Sequence, residues 1–551
     1  MRTNYAAQFS TKITPQSQPI PGTAQVPNSA GGYSWAVDDK TRFDRFLVLG
    51  AEGGTYYTKE QDLIKGNHDA VVRVIKSDGL WAVNRVIEIS DSGRAYKNDP
   101  ALFVLALAVT HGNEETKALA LASLSKVARI GTHLFHFCEF VNNLRGWGSG
   151  LRKAVGRWYT GQEADDLAYQ VVKYQSRDGW SHRDVLRLSH PKTTDKGQDA
   201  VLRWAVTGTD GLKKRDVNRK VKAGDKGVEF SYADRRKHLP DIIEAFEKAK
   251  AATTAKQVVK LICENNLPRE CVPTQFLNDV EVWEALLEGM PITAMVRNLA
   301  KMTSIGLIKP LSTASKKVVE ALGNESALKK ARLHPMAALI ALKTYAKGHG
   351  DKGSLTWTPV QPVCDALDGA FYLCFGNVKP IGKPVLLGLD VSHSMSAPCL
   401  GSPISCAEGV AAMSLITASV EEDYHIMAFD SGIRDLHISP KMRLDTVLKK
   451  TSNINGGGTD CALPMVWALK EKVEVAGFCV YTDSETWAGA IHPSQALKAY
   501  RHGMGIEARE VIVGMASNEF SVADLNDKGM LDVVGFDANV PNVLADFIRG
   551  E

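Results

Sequence analysis

Long hydrophobic runs and paired cysteines are both missing from this sequence. Its most apolar stretch, Ala101 to Val109, is about half as long as a membrane-spanning helix, and its polar N-terminal part holds no secretory signal. The nine cysteines occur singly, which argues against a disulfide framework. Zinc-finger spacing, H-E-x-x-H and the phosphate-loop pattern are absent, so three common catalytic classes lack support. These absences predict a cytoplasmic protein that does not enter a membrane.

The positive charge is concentrated in the first part of the chain. At 551 residues the chain is longer than one hydrophobic core usually supports, and its net charge is +4. From Pro384 onward there are 12 Lys and Arg against 22 Asp and Glu, whereas the preceding residues hold 54 against 40. The division into +14 and −10 indicates two parts with different partners, and the basic part is a candidate for binding nucleic acid.

Two patterns of hydrophobicity follow one another along the chain. Between about Phe43 and Tyr345, apolar residues recur at three- and four-residue spacing, which predicts an all-α array of irregular HEAT-like repeats. After Lys352, short aliphatic runs alternate with amphipathic segments, which predicts a doubly wound α/β domain with a mainly parallel sheet. The predicted domains are a flexible polar arm at 1–40, the helical region at 41–363 and the α/β domain at 364–551.

Hydroxyl and carboxylate side chains follow two of the predicted strands. The segment LLGLDVSHSMSAP ends an aliphatic run in Asp390, Ser392 and Ser394, whose alternate spacing can point the three side chains the same way. The segment FCVYTDSE brings Asp483 to another strand end, and the glycine loop INGGGTD supplies Thr459. In doubly wound sheets, ligands bind outside the carboxyl ends of the strands. Two carboxylates and three hydroxyls suit Mg²⁺, with Mn²⁺ as the alternative, better than zinc.

These five residues resemble the metal-ion-dependent adhesion site of von Willebrand factor A domains. The resemblance implies that Asp390, Ser392, Ser394, Thr459 and Asp483 hold the ion. With at most two negative charges among its ligands, the ion would keep positions for water, and an acidic protein ligand could take one. The alternative is a Ser-rich turn that only caps the next helix. His393 is expected to point away from the ion.

Cationic and aromatic residues are interleaved in the helical region, notably in GSGLRKAVGRWYT, VVKYQSRDGWSHRDVLRLSH and the basic loop KKRDVNRKVKAGDKG. Cations bind phosphate and aromatic rings stack on unpaired bases, as in RNA recognition. The competing interpretation is a solvated charged face with its aromatic residues in the core. The candidate RNA contacts are Arg152, Lys153, Arg157, Lys173, Arg177, His182, Arg183, Arg187, His190, Lys213, Lys214 and Arg215.

Four longer segments resemble the TROVE module of the Ro autoantigen family. They are RFLVLGAEGGTYYTKEQDL from Arg45, RIGTHLFHFCEFV from Arg129, DGWSHRDVLRLSH from Asp178 and VWEALLEGMPITAMVRNLAKMT from Val282. Together with the A domain they span nearly the whole chain in the family's order. The polar arm and the basic insert between 213 and 226 depart from the family pattern, so an RNA role for the insert rests on its charge alone.

The resemblance implies a ring of HEAT-like repeats that the A domain closes. It implies binding of Y RNA on the basic outer surface and of single-stranded 3′ ends of misfolded non-coding RNA in a central hole. Lys173 and His190 match positions that the family associates with RNA binding. The resemblance also implies a non-enzymatic role in RNA quality control or processing, with a 3′ exoribonuclease similar to polynucleotide phosphorylase as partner. A ring closed within one chain is expected to be a monomer.

Two other functions remain as alternatives. The chain could be a metal-dependent scaffold for protein interactions that attracts RNA only non-specifically. Metal-assisted phosphodiester cleavage is the least favoured, because one metal with hydroxyl ligands and no evident general base falls short of the two-metal arrangement common in nucleases.

Overall fold

The computed structural model describes most of the chain. The described residues are 13–49, 60–92, 98–212, 232–350, 353–399, 403–452, 457–483, 486–515, 520–534 and 540–550. None of their helices combines the length and the apolar character needed to cross a bilayer.

The first part of the chain is built of helices, most of which pack on helices close to them in sequence. Helix α4 is apolar all round and lies inside the array, where it contacts α3, α5 and α7, because a helix without a polar face is stable only when covered on every side. The helices are α1 (Asp39–Leu49), α2 (Glu60–Ser77), α3 (Gly79–Ser92), α4 (Asp99–His111), α5 (Glu114–Ala122), α6 (Leu124–Val127), α7 (Gly131–Leu144), α8 (Ser149–Thr160), α9 (Ala164–Lys173), α10 (His182–Ser189), α11 (Lys196–Gly211), α12 (Tyr232–Lys237), α13 (Asp241–Lys250), α14 (Ala255–Asn265), α15 (Val280–Glu288), α16 (Ile292–Ser304), α17 (Thr313–Gly323), α18 (Glu325–Lys330), α19 (Pro335–Ala346) and α20 (Gln361–Leu373).

The second part is an α/β domain around a six-stranded sheet. The strand order is β11-β9-β8-β5-β6-β7, parallel except for the antiparallel edge strand β7. The strands of the chain are β1 (Gln25–Pro27), β2 (Tyr33–Ala36), β3 (Ser176–Arg177), β4 (Trp180–Ser181), β5 (Val385–Asp390), β6 (Tyr424–Phe429), β7 (Ile433–Asp435), β8 (Gly477–Thr482), β9 (Arg509–Gly514), β10 (Phe520–Ser521) and β11 (Met530–Val534). The helices of this domain are α21 (Cys406–Val420), α22 (Leu444–Ser452), α23 (Leu463–Glu471), α24 (Pro493–Met504) and α25 (Val540–Arg549).

Both faces of the six-stranded sheet are buried, which explains why its central strands are apolar without interruption. Successive side chains of β5 point to opposite faces, so Leu387 joins one hydrophobic core and Leu386 joins the other. Gly388 lets α23 approach the strand, since a Cβ there would lie 2.6 Å from Pro464 Cγ. The observed order of a helical region followed by a doubly wound α/β domain confirms the predicted fold class.

The described part of the predicted flexible arm, from residue 13 to 37, is attached to the α/β domain. Strands β1 and β2 pair with each other, and β2 pairs with β10 of the second part to form a three-stranded antiparallel sheet. The prediction of a free arm was therefore wrong for these residues. Polar composition suggested mobility, but the Gln16 and Asn28 side chains donate hydrogen bonds to loops of the α/β domain, and Asn28 also donates to Ser34 within the segment. Residues 1–12 lie outside the described part.

The helical region begins and ends against the α/β domain. In α1, Arg45 Nη2 forms a buried ion pair with Asp532 Oδ1 of β11 at 2.8 Å, and in α19 Lys343 Nζ contacts Glu408 Oε1 of α21 at 2.7 Å. Helix α20 packs on α17 and α19, so the packing of the helical region continues past the predicted boundary at 363. The chain thus closes on itself, as the predicted ring requires.

Candidate metal centre and nucleic-acid interface

Two parallel strands deliver Asp390 and Asp483 to the same edge of the sheet. Strands β5 and β8 are neighbours, and Leu389 is paired with Tyr481. The next residue of each strand is its last, Asp390 in β5 and Thr482 in β8, and Asp483 directly follows Thr482. Both carboxylates are buried. Thr482 Oγ1 donates a hydrogen bond to Asp390 Oδ2 at 2.7 Å, which fixes the orientation of that carboxylate. The predicted strand-end positions of the two acids are therefore observed.

The two serines of the D-x-S-x-S segment face each other beside Asp390. Their Oγ atoms are 3.1 Å apart, and the backbone N–H of Ser392 donates to Asp390 Oδ1 at 2.8 Å. Ser392 and Ser394 are buried, whereas His393 between them is exposed. The predicted alternation of side chains is thus present, and His393 points away from the serines.

The glycine loop holds Thr459 in a buried position. The backbone N–H groups of Trp487 and Ala488 both donate to the carbonyl oxygen of Thr459 at 3.0 Å. Gly458 makes this close packing possible, since a Cβ there would lie 2.7 Å from Ala488 Cβ and from Trp487 Cζ2. The loop that carries Thr459 is therefore bound to the loop that follows Asp483.

The chemistry of this donor set fits a small divalent cation. Burial, together with the nearby charge of Asp483, raises the pKa of Asp390 well above its usual range, and a bound cation would remove the charge repulsion that contributes to this rise. The oxygen atoms of carboxylates and hydroxyls are ligands of Mg²⁺ and Mn²⁺. Among the described residues, no group of three or more His, Cys, Asp or Glu side chains is arranged to hold a metal ion, so the candidate site depends on its hydroxyl ligands. The residues that would hold the cation are Asp390, Ser392, Ser394, Thr459 and Asp483.

Helix α8 presents three of the candidate cations to solvent. Arg152, Lys153 and Arg157 are exposed, whereas the apolar residues between them are buried against the array. Trp158 and Tyr159 are buried too, and Trp158 Nε1 donates to the carbonyl oxygen of Ala128. On this helix the aromatic residues belong to the core, as the competing interpretation held, and only the cations face outward.

Lys173 lies at the end of α9 between two tyrosines. Its Nζ donates to the Tyr169 hydroxyl at 2.9 Å and lies 5.0 and 5.4 Å from the ring centroids of Tyr169 and Tyr174. Partial burial lowers the pKa of Lys173, but the hydrogen bond to Tyr169 and the nearby acidic groups outweigh it, so the net shift is upward. The ammonium group thus stays charged beside two aromatic faces. Arg177 follows on the exposed strand β3.

The remaining candidate RNA contacts that the structure describes lie on α10 or at its end, and they differ in exposure. Arg183 and Arg187 are exposed on one face, and His190 is exposed at the C-cap with the left-handed backbone angles φ 47° and ψ 54°. A Cβ placed on Gly156 of α8 would lie 3.6 Å from Pro191 Cα, so the α8 backbone passes close to Pro191. This close approach brings the α8 cations next to the turn that carries His190.

His182 was wrongly predicted as an RNA contact. Its side chain is 3% exposed and its Nδ1 is 2.8 Å from the Tyr159 hydroxyl. Burial lowers the pKa of His182 to about 4, so the ring is neutral at physiological pH. A histidine between exposed arginines resembles a surface residue in sequence, but the helical period turns it toward the core. Lys213, Lys214 and Arg215 lie outside the described residues.

Three residues that support these sites were not predicted from the sequence. Thr482 orients Asp390, and its position beside Asp483 at a strand end was a signal that could have revealed it. His136 of α7 contacts Asp99, and its Nε2 lies 3.2 Å from Asp178 Oδ2 in the β3–β4 turn. Gln16 from the N-terminal segment connects the loops that follow Thr459 and Asp483. No local pattern marks the last two residues.

Comparison with known proteins matches both parts of the chain. The family model described as the TROVE domain matches residues 26–344, and the model described as the Ro60 vWA domain matches residues 384–548. The RNA-binding protein RO60 of Deinococcus radiodurans is 41% identical over 531 residues, which cover 96% of either chain. The RNA-binding protein RO60 of Caenorhabditis elegans is 34% identical over 583 residues, which cover 96% of this chain and 90% of the relative.

A solved structure shows the same architecture over nearly the whole length. The crystal structure of the Deinococcus radiodurans RO (RSR) protein aligns with a TM-score of 0.72 at 39% sequence identity. The alignment covers 93% of this chain and 100% of that chain. The likeness therefore includes the helical region, the α/β domain and their order.

Proposed function

The chain belongs to the Ro60 family of RNA-binding proteins, and from this membership we propose that it binds RNA without acting as an enzyme. Membership confirms the family resemblance carried by the four TROVE-like segments and the A domain. RNA is the proposed partner because both relatives are RNA-binding proteins. The observation that carries the proposal is the set of exposed cations on α8, β3 and α10.

These cations suit a phosphate backbone that lies across neighbouring helices. Helices α8 and α10 are in contact, and the short β3–β4 hairpin contacts α7 beside them. Guanidinium groups bind phosphate oxygens through several N–H donors, and each neutralised phosphate releases counterions. The net charge of +14 before Pro384 would add long-range attraction for a polyanion.

We propose two kinds of RNA ligand for this surface and the interior that it encloses. Y RNA would bind on the basic outer surface, and single-stranded 3′ ends of misfolded non-coding RNA would enter a central hole. The protein would then act in RNA quality control or processing, with a 3′ exoribonuclease as its partner. It would be a cytoplasmic monomer. The nine free thiols are compatible with the reducing cytoplasm.

The strand-end site of the α/β domain would hold Mg²⁺. The five oxygen ligands leave positions for water on an ion that prefers six ligands, and a carboxylate from a protein partner could replace one water. The domain would therefore recruit a partner while the helical region holds RNA. The cation would supply a positive charge in a part of the chain, from Pro384 to Glu551, whose own net charge is −10.

The RNA proposal is tested with two stem-loop RNAs that differ only in a single-stranded 3′ tail. We expect the tailed RNA to bind at least about tenfold tighter, because each stacked unpaired base is worth about 1–3 kcal/mol. The affinity should fall steeply with salt. Fluorescence anisotropy at several salt concentrations measures both quantities.

A matched pair of variants assigns the binding to the proposed surface. The double variant Lys173→Ala, His190→Ala should weaken RNA binding, whereas Lys329→Ala, which removes an exposed cation on α18, should not. Equal and weak binding of both RNAs would instead favour the metal-dependent protein scaffold. Mg²⁺-dependent cleavage of the RNA that Asp390→Ala abolishes would show that the protein is a nuclease.

A further inference from the structure

Gln16 is a fully buried side chain whose amide satisfies four hydrogen bonds across the α/β domain. Its Nε2 donates to Asp460 Oδ1 at 2.7 Å and to the carbonyl oxygen of Ile491 at 2.9 Å. Its Oε1 accepts from Thr486 Oγ1 at 2.6 Å and from the backbone N–H of Gly489 at 3.2 Å. Both donors and both acceptor positions of one amide are thus used, and all four partners lie more than 440 residues away in sequence.

The backbone around Gln16 is held as firmly as its side chain. Gln16 N–H donates to the Gly489 carbonyl oxygen at 2.9 Å, and Gln16 C=O accepts from the Tyr33 N–H at 2.8 Å. The Gln16 amide fits here because Gly489 has no side chain. A Cβ on Gly489 would lie 2.2 Å from Gln16 Nε2. Asn28 binds the same loop by donating to the Thr486 carbonyl oxygen at 2.8 Å. We call residues 13–37 the N-terminal clasp.

The two loops that Gln16 connects are those that carry Thr459 and Asp483. Asp460 directly follows Thr459, and Thr486 lies three residues after Asp483. Thr486 Oγ1 also accepts from the Cys461 N–H at 3.2 Å, so this hydroxyl is bonded to both the clasp and the Thr459 loop. A shift of Gln16 would therefore change the separation of the two loops.

We propose that Gln16 is a positioning residue of the metal centre and that the N-terminal clasp is part of that centre. This inference rests on the proposed Mg²⁺ site. A small cation requires its ligands at nearly fixed distances, and groups that orient the ligands change the affinity about 10–100-fold when they are replaced. Gln16 acts on Thr459 and Asp483 through Asp460 and Thr486, without contacting the ion.

A simpler role for Gln16 is to stabilise the α/β domain regardless of any metal. The two roles differ in the effect of Mg²⁺ on thermal unfolding, because a ligand stabilises the folded state according to its affinity. A purely structural residue would lower Tm equally with MgCl2 and with EDTA. A positioning residue would also reduce the increase in Tm that MgCl2 produces.

The experiment compares full-length variants by calorimetric titration with MgCl2 and by thermal unfolding. Gln16→Met fills similar space but removes all four hydrogen bonds, and Thr486→Val breaks the same connection from the other loop. Gln25→Ala is the matched control, since Gln25 belongs to the clasp but its amide lies 3.2 Å from His492 Nδ1, away from the connection between the two loops. Asp390→Ala removes a proposed ligand.

We expect Gln16→Met and Thr486→Val to weaken Mg²⁺ binding about 10–100-fold and Gln25→Ala to leave it unchanged. RNA affinity should be the same in all four variants. Wild-type Mg²⁺ affinity in a folded Gln16→Met protein would overturn the role of Gln16 while leaving the metal site intact, and Thr486→Val decides the question if Gln16→Met does not fold. If the wild type shows no Mg²⁺ binding that Asp390→Ala removes, the metal site itself fails and the role of Gln16 with it.

Discussion

Adjacent residues at the start of α10 have opposite environments. His182 is packed against Phe135 with ring centroids 4.7 Å apart, whereas Arg183 next to it is exposed. Side chains one position apart on a helix diverge by about 100°, so one of them can join the core while the other faces solvent. Chemical type alone therefore does not decide which residue is able to touch RNA.

Replacing Arg183 and Arg187 together by Ala should weaken RNA binding and reduce its salt dependence. Each lost phosphate contact lowers the slope of log affinity against log salt by about 1. The slopes are measured by fluorescence anisotropy across a salt series. His182→Ala serves as the contrast: it should lower the thermal stability, because it leaves a cavity in the core, but keep the slope of the folded protein. A slope that is unchanged in the double variant would exclude both arginines as phosphate contacts.

A second residue-scale feature is the buried carboxyl of Glu510 in β9. Within the described residues its two oxygen atoms have no hydrogen-bond partner. Burial raises the pKa of Glu510 to about 8, and the charge of Asp527 adds to the rise while Arg501 of α24 opposes it. Arg501 is itself bonded to Asp527 at 2.7 Å, so it does not neutralise Glu510. The folded protein therefore keeps this carboxyl protonated at neutral pH.

The stability of the wild type should fall as the pH rises toward 8. The folded pKa lies above the unfolded value of 4.5, so the folded state binds the proton more tightly. The stabilisation is complete below pH 4.5 and is lost as the pH rises to about 8, at up to about 1.4 kcal/mol per pH unit. Glu510→Gln should remove this part of the pH dependence in a Tm series from pH 5 to 9. Parallel pH curves for the two proteins would show that Glu510 does not titrate as stated.

At the scale of secondary-structure elements, a histidine fastens the β3–β4 hairpin to the helical array. His136 of α7 has Asp99 of α4 at one ring nitrogen and Asp178 of the hairpin turn at the other. Asp178 also lies 3.6 Å from Arg177 Nε, and its φ of 52° is the left-handed conformation. The His136 ring therefore lies between a carboxylate of the array and a carboxylate of the hairpin turn. The hairpin carries Arg177, so this connection positions a candidate RNA contact.

Asp178→Asn should loosen the hairpin without changing its backbone conformation, because Asn tolerates the left-handed region. We expect faster amide hydrogen exchange at residues 175–181 and weaker RNA binding. Asp166→Asn, which removes an exposed acid on α9, is the control for the loss of a negative charge. Unaltered exchange in the hairpin would mean that other contacts, such as the Trp180 Nε1 donation to Glu139, hold it.

At the scale of the whole molecule, a buried ion pair joins the first helix of the array to the α/β domain. Arg45 and Asp532 have side chains that are each 2% exposed. Arg45 Nη2 also donates to the Phe520 carbonyl oxygen at 3.0 Å, and Asp532 accepts from the Ser521 hydroxyl. Removal of one member would leave the other as a buried charge, which is costly in a medium of low dielectric constant.

Arg45→Ala should therefore reduce the free energy of unfolding by about 3–5 kcal/mol. Arg73→Ala, which breaks the exposed pair with Asp39, should cost no more than about 1 kcal/mol. The double variant Arg45→Met, Asp532→Leu should recover most of the loss, since no unpaired charge remains. Urea denaturation followed by circular dichroism measures all three. A loss of similar size in Arg45→Ala and Arg73→Ala would show that the buried pair does not hold the closure.

Hydrophobic patterns and local motifs were enough to predict the order of the two folds and the strand-end positions of Asp390 and Asp483. Hydrophobic period distinguishes helices from buried strands, because it reflects which side chains of one element meet the core. The D-x-S-x-S segment, Thr459 and Asp483 each sit at a local strand or loop signal, and the rule that parallel strands end at one edge explains why Asp390 and Asp483 lie close together. The family followed from long segments that needed no structure.

The packing of whole elements determines which cations are exposed, why His182 is buried, and why the polar N-terminal segment forms a clasp. His136 and Gln16 owe their roles to partners that come from distant parts of the chain. Hydrogen bonds between residues hundreds of positions apart leave no period or motif in the sequence, because their geometry is set by the packing of whole elements. For the same reason a polar segment resembles a mobile arm until the loops that satisfy its amides are in place.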